Sequence, residues 1–482
     1  MSKSERIFFW SAAAASLALR AAAFFHYRFD SDEQQHLHVA WAWTDGLVQY
    51  RDVFDNHLPL FHLLMAPFVA LFGERADILL WMRLPMLALF AVVLWATYAI
   101  ADDARVGGWA VVLLSLFPPF FLKSLELRND NLWTALWMLA IAGVVRRWKP
   151  FLIGLLLGGA FAASIKTVVL LVAFILAWRK QRWLEIAAGF AVIPAILAIY
   201  FIAVGAWDQL LYCNVTFNAH FALTRTNLWI LRVLFPLLIA AFLWLAQRFR
   251  LHVFVVLIAV YALLLPPLGV PISPRDFLPL MPLFAILVAA AATTTQRAIV
   301  AAACIASLFY YADGFKDRTE WHITMLHQAL RLTRPGELLM DVKGETIFRR
   351  RPFYYVFENL TRAQIARGII RDSVAEDVIR TRTHVAQADG PMWPPRARAF
   401  LSENFLDMGR LRASGQWLRN DGSFTIAVPG EYVIVSERGA VSPARKYAAG
   451  TYRFPLRGKL AVMWAPAFRR GHSPFHLRDR EF

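Results

Sequence analysis

The chain has 482 residues, 58% of them hydrophobic and only 18% charged, whereas an ordinary soluble domain is about a quarter charged. That balance excludes a simple soluble globule, and two distant cysteines, Cys213 and Cys304, exclude a disulfide framework or a Cys-based metal site. The net charge of +17 reads as basic loops facing anionic lipid on the cytoplasmic side rather than as a nucleic-acid surface.

Apolar runs fill residues 7 to 312. A helix crossing the hydrocarbon core needs about 20 mostly apolar residues. About eleven crossings are predicted, near 7–25, 79–100, 106–122, 130–146, 150–165, 167–179, 183–204, 229–246, 251–267, 277–294 and 297–312. The first follows Lys3 and Arg6 and resembles a signal peptide, but the spans behind it favour an uncleaved helix. Residues 58–72, with Pro59, His62 and Pro67, are expected to lie in the interface, because a further span there would invert every later loop.

On this count the inner segments are 3–6, 102–105, 146–149, 179–182, 248–250 and Arg297, and all but 102–105 are clearly basic. That is the positive-inside pattern. The unusual polar residues then fall on the outer face, where nucleotide sugars and ATP are not supplied. Substrates there are lipid-linked, protein-linked or free, and no GxxxxGK[ST] phosphate loop occurs.

The first outer loop carries the strongest signal. Asp30, Asp32 and Glu33 follow the first span directly, and three acids so close to hydrocarbon need compensation. A short amphipathic helix comes next, then Gly46, Tyr50-Arg51-Asp52 and His57-Leu58-Pro59-Leu60. Asp30-Ser31-Asp32 is formally an Asp-x-Asp pattern, and His36 stands three residues after Glu33. If a divalent metal takes part, its candidates are Asp30, Asp32 and His36. No HExxH motif occurs, which speaks against a zinc protease.

This pattern resembles the polytopic glycosyltransferases of the GT-C fold, especially bacterial relatives of dolichyl-phosphate-mannose protein mannosyltransferases and the lipid A aminoarabinose transferase. The matching positions are Asp32-Glu33, the Ala-rich helix through Ala40 and Trp43, Gly46, Tyr50-Arg51-Asp52 and Pro59-Leu60. The likeness continues at Arg128-Asn129-Asp130 and at Arg275-Asp276-Phe277-Leu278-Pro279, and covers about residues 7–312. His57 departs from it, since many relatives have Lys or another Pro nearby.

The resemblance implies an inverting transfer of a sugar from a polyprenyl-phosphate carrier to a lipid, glycan or protein acceptor at the outer face of the inner membrane. Such a reaction needs a base for the acceptor hydroxyl and positive charge for the departing phosphate. Asp32 is the expected base and Glu33 its helper, although Asp30 also fits by position. Arg128, Lys166 and Arg275 are the expected phosphate cations, with Arg225 as a weaker addition, and Asp130, Tyr50, Asp52 and His57 complete the substrate-binding set. Cationic side chains serve the phosphate without a required cofactor. The rival class is a transporter or flippase of lipid-linked glycan, which would place ionisable residues near mid-membrane.

The outer segment 205–228 reads as an aromatic interfacial loop or as a lid. From Asp313 the composition becomes that of a soluble domain. An extracytoplasmic α/β domain over 313–482 is expected behind a catalytic membrane domain over 1–312. Its predicted helix is 361–370, with strand-like pieces at 337–342 and 353–357 and a β-rich end at 423–428, 431–436, 450–455 and 459–464. Trp393, Trp417 and Trp464 are expected in its core.

Overall fold

The computed structural model describes residues 1–178, 181–219, 252–265, 273–388, 390, 392–455 and 458–476. The expected span at 229–246, together with Arg225, lies outside the described residues. The N-terminal part is helical. Its elements run α1 (Lys3–His26), α2 (Ser31–Thr44), α3 (Leu60–Phe72), α4 (Ile78–Trp81), α5 (Arg83–Ile100), α6 (Ala104–Leu116), α7 (Pro118–Lys123) and α8 (Asn129–Val145). Then come α9 (Pro150–Ala163), α10 (Thr167–Ala177) and α11 (Trp183–Ala203), and later His252–Leu264, Pro274–Ala291 and Thr294–Tyr311. Among the described residues four helices are long and apolar enough to cross a membrane: α1, the joined α4–α5, α11 and Pro274–Ala291. Shorter apolar helices, including α3, α6, α9 and α10, fill the bundle between them.

Two devices fix how these helices meet. In α9 and α11 the glycines let the backbones touch: a Cβ at Gly154 or Gly158 would strike the carbonyl oxygens of Ile186 and Phe190. This is the small-residue packing that apolar helices use where no hydrophobic force drives them together. At the opposite end of the bundle from the first outer loop, buried Glu5 of α1 accepts from Arg105 Nε at 2.6 Å and Trp109 Nε1 at 2.9 Å. It also pairs with Arg297 at 3.3 Å. The 102–105 turn, ambiguous by charge alone, is thus tied in by its arginine.

The C-terminal part is a mixed α/β region. Its main sheet holds β1 (Leu339–Met340), β2 (Val385–Gln387), β4 (Leu411–Trp417), β10 (Ala461–Trp464), β6 (Gly430–Ser436) and β7 (Gly439–Ala440) in that spatial order. β3 (Phe405–Asp407) pairs with β4, β8 (Arg445–Tyr447) pairs with β6, and β5 (Ser423–Ile426) with β9 (Gly450–Arg453) forms a separate ribbon. Among the described strands of this sheet only β1 and β2 run parallel. The stretch 353–357, expected as a strand, is irregular. Its aromatic rings pack against each other and against the first outer loop: Phe353 stacks on Phe357 at 5.1 Å and Tyr354 donates to the Tyr50 carbonyl. Trp393 and Trp464 are buried, whereas Trp417 is 41% exposed.

The two parts are pinned together around the first outer loop. His38 Nδ1 lies 2.6 Å from the Ile347 carbonyl, the Arg349 guanidinium grips Glu74 at 2.9 Å, and the Arg318 N–H reaches the His26 carbonyl.

Candidate functional site

The site grows from the N-terminus of α2. Asp30 caps that helix by accepting from the Asp32 N–H, and the Glu33 carboxylate returns to the Asp30 N–H at 2.8 Å, a reciprocal capping box. The second oxygen of Glu33 accepts from the Leu127 N–H at 2.8 Å. Both Glu33 oxygens are therefore engaged by backbone, and the side chain does not line the cavity described next. Burial, and then the neighbouring Glu126 carboxylate, push the Glu33 carboxyl up to about 7.

The Leu127 contact places the turn before α8 against α2 and brings Arg128 over the two aspartates. Arg128 donates to Asp32, stands 3.5 Å from Asp30 and reaches Asp130 at 3.3 Å. Arg275 approaches from the start of Pro274–Ala291, with Asp30 at 2.7 Å, Glu126 at 3.1 Å and Asp32 at 3.7 Å. A third cation, Lys343, comes from the loop after β1 and donates to the other oxygen of Asp32. Burial pushes the Asp32 carboxyl up, but the Arg128 and Lys343 charges outweigh it and hold the group well below the usual carboxylate range.

A cavity of about 640 Å³ opens beside this cluster, within the range of small-molecule sites. Asp32, Arg128, Asp130, Lys166, Arg275 and His57 all line it. Lys166 is ion-paired with Asp276, so it reaches the cavity already partnered. Six of the residues singled out from the sequence thus meet in one place, drawn from separate segments of the helical part.

Tyr50, Asp52 and His36 are placed differently. Buried Tyr50 donates from its hydroxyl to the His57 carbonyl at 2.7 Å, and Asp52 accepts from the Val48 N–H at 2.9 Å. Both shape the turn that carries His57, and neither lines the cavity. His36 directs its Nδ1 at His62 Nε2, 2.8 Å away. Asp30, Asp32 and His36 do not assemble as a ligand set, and among the described residues no group of three or more His, Cys, Asp or Glu is placed to hold a metal ion.

Sequence reasoning missed the wall contributed after residue 312. Lys343, Glu345 and Glu358 all line the cavity. Burial, and then Asp341, push the Glu345 carboxyl up to about 7. Burial also raises the Glu358 carboxyl. No local motif marks these residues; only the fold brings them over the first outer loop.

No protein-family model and no curated protein matches the sequence. Solved structures do. ArnT from Cupriavidus metallidurans in the apo state matches with a TM-score of 0.55 at 14% identity, over 85% of this chain and 97% of that one. The same enzyme bound to undecaprenyl phosphate gives 0.55 at 13% identity, over 84% and 97%. An Archaeoglobus fulgidus oligosaccharyltransferase tethered to an acceptor peptide gives only 0.47 at 10% identity, over 95% and 76%. The resemblance read from the first outer loop is therefore borne out in three dimensions: the chain is built on the GT-C fold of the lipid A aminoarabinose transferase ArnT.

Proposed function

We propose that the protein is a membrane-embedded glycosyltransferase that moves a hexose or pentose, with inversion, from a polyprenyl-phosphate carrier to a lipid, glycan or protein acceptor. In this reading about eleven helices cross the inner membrane, and residues 313–482 form an extracytoplasmic domain over the membrane domain 1–312. The observation that carries the proposal is the convergence of Arg128, Arg275 and Lys343 on two aspartates at the mouth of a cavity. Three cations held by exchangeable carboxylates form a ready site for a lipid phosphate, and their charge stabilises that phosphate as it departs. The fold is shared with a protein solved with undecaprenyl phosphate, which supports the same donor class.

Transfer also needs a proton acceptor. The first-loop motif nominates Asp32, and the cavity wall adds His57 as a second group of the right chemistry. The cations supply what the phosphate needs without a required cofactor. The test is transfer by the purified full-length protein in proteoliposomes, using labelled polyprenyl-phosphate sugars and envelope extract, with and without chelator. Label must reach an acceptor with wild type and be lost when Arg128 and Arg275 are replaced together by glutamine. Movement of the donor across the bilayer without any transfer would instead establish the flippase class.

A further inference from the structure

His57 stands at the end of a built polar relay that the phosphate cluster does not use. Asp55, two residues earlier, has no exposed surface. Its Oδ1 accepts from His57 Nδ1 at 2.9 Å and from Gln35 Nε2 at 3.3 Å, while its Oδ2 accepts from Gln49 Nε2 at 2.9 Å. The loop that presents the imidazole is fixed as well, because the Tyr50 hydroxyl donates to the His57 carbonyl. Gln49 Nε2 also donates to His62 Nδ1 at 3.2 Å, so the neutral His62 ring carries its proton on Nε2 and donates it to His36.

Two consequences follow for His57. Its Nδ1–H is committed to a buried carboxylate, which fixes the tautomer and leaves Nε2 as a bare acceptor. That nitrogen has no hydrogen-bond partner among the described residues, the side chain is 28% exposed, and it lines the cavity. Asp32, in contrast, has both oxygens engaged by Arg128 and Lys343.

Resting on the transferase reading above, we infer that His57 is the catalytic base of this site and that Asp55 is its positioning residue, while Asp32 organises the cations. The acceptor hydroxyl gives its proton to His57 Nε2 as its oxygen bonds to the anomeric carbon. The bond from that carbon to the phosphate oxygen breaks, and its electron pair stays with the carrier phosphate. That charge is met by Arg128, Arg275 and Lys343. The resulting imidazolium is stabilised by Asp55 until water takes the proton. The charged and titratable groups facing His57 are Asp55, His36 and, through Asp55, His62, with Glu358 across the cavity.

The experiment compares wild type, His57→Ala, His57→Asn, Asp55→Asn and Asp32→Asn in proteoliposomes under single-turnover conditions. Binding of polyprenyl phosphate is measured alongside. Asparagine can keep the hydrogen bond to Asp55 while lacking the distal nitrogen, so it separates chemistry from folding. The expected result is a transfer rate lower by roughly 10²–10⁴-fold in both His57 variants. Their polyprenyl-phosphate affinity stays within about threefold of wild type, on the reasoning that uniform binding is untouched when only a transition-state group is lost. Added imidazole restores transfer to His57→Ala and not to Asp32→Asn. Asp55→Asn shifts the pH–rate profile rather than abolishing phosphate binding. If wild type transfers sugar and His57→Asn does too at a comparable rate, the inference fails and the transferase reading stands. Loss of phosphate binding in step with the rate would also overturn it. If wild type transfers nothing, both fall together.

Discussion

Replacing Asp32 by asparagine tests whether the two aspartates act as stand-ins for a phosphate. The substitution keeps the shape of the side chain and removes the charge that Arg128 and Lys343 share. Those cations are about nine-tenths buried, at 9% and 10% side-chain exposure, against 24% for Asp32. Removing one partner of a buried pair typically costs about 3–5 kcal/mol, because the remaining charge is left in a poor solvent. Here the loss is smaller. Arg128 keeps Asp130 at 3.3 Å and Asp30 at 3.5 Å, and Lys343 keeps the field of Glu358. A destabilisation of about 2–3 kcal/mol is expected, given the partial exposure of Asp32 and these residual partners. The same change frees two cations, so polyprenyl phosphate should bind the variant more tightly and restore more stability to it than to wild type. The assay is thermal unfolding of the reconstituted protein over a titration of polyprenyl phosphate. A variant as stable as wild type that also binds the phosphate no more tightly would refute the reasoning.

Three further outcomes follow from the same geometry. Lys343→Met should weaken polyprenyl-phosphate binding by roughly ten- to a hundredfold, the loss of one charge-assisted contact, as read from binding isotherms. An unchanged isotherm would place Lys343 outside the phosphate site. Gly158→Leu should destabilise the bundle by about 3 kcal/mol, since the obstacle is the Phe190 carbonyl rather than a movable side chain; a chemical-denaturation midpoint unchanged from wild type would contradict the packing described. Glu345→Gln should raise stability above pH 7 and leave it unchanged near pH 4. A carboxyl raised to about 7 favours the folded state while protonated, and that advantage is lost as pH climbs from the unfolded value through 7. The shift bounds the gain at about 3 kcal/mol, and a pH–stability curve parallel to wild type would exclude it.

How much of this was legible depended on whether the signal was local. The helices between residues 3 and 311 declare themselves by unbroken apolar runs, and the capping acids of α2 stand in the sequence where the helix begins. Glu33 was legible as an important acid but not in its placement: its contact with the Leu127 N–H joins positions 94 residues apart. Lys343 pairs with Asp32 across 311 residues, and an isolated lysine before a glycine carries no periodicity that could announce it. β4, with the sequence LRASGQW, has weak strand propensity and is held by β10 and β2 on its two sides, so neighbours rather than composition make it a strand. The aromatic run at 353–357 shows the converse. Its composition suits a strand, yet its rings find partners in the first outer loop.

The ion-pair network also bears on which carrier fits. Among the described residues Arg28, Lys123, Arg128, Arg275 and Lys343 form one connected cluster with Asp30, Asp32, Glu126 and Asp130. Five cations therefore face four carboxylates, a surplus of one positive charge. A sugar on a polyprenyl monophosphate is a phosphodiester with a single negative charge, which the surplus neutralises. As the glycosidic bond breaks, the phosphate becomes a monoester with roughly −1.5 to −2 charges near neutral pH, by analogy with other phosphomonoesters. On the transferase proposal, cations released from Asp32 and Asp30 would meet the growing charge, so the cluster would favour the departing group over the bound donor, as catalysis requires. A diphosphate-linked donor would bring its second charge into the ground state and engage those cations before any bond breaks. Unreactive monophosphate- and diphosphate-linked analogues, compared as inhibitors of transfer over a salt series, should therefore differ. The diphosphate should prove the poorer donor when reactive, whatever its affinity, and equal turnover of the two carriers would show that charge matching does not select the substrate.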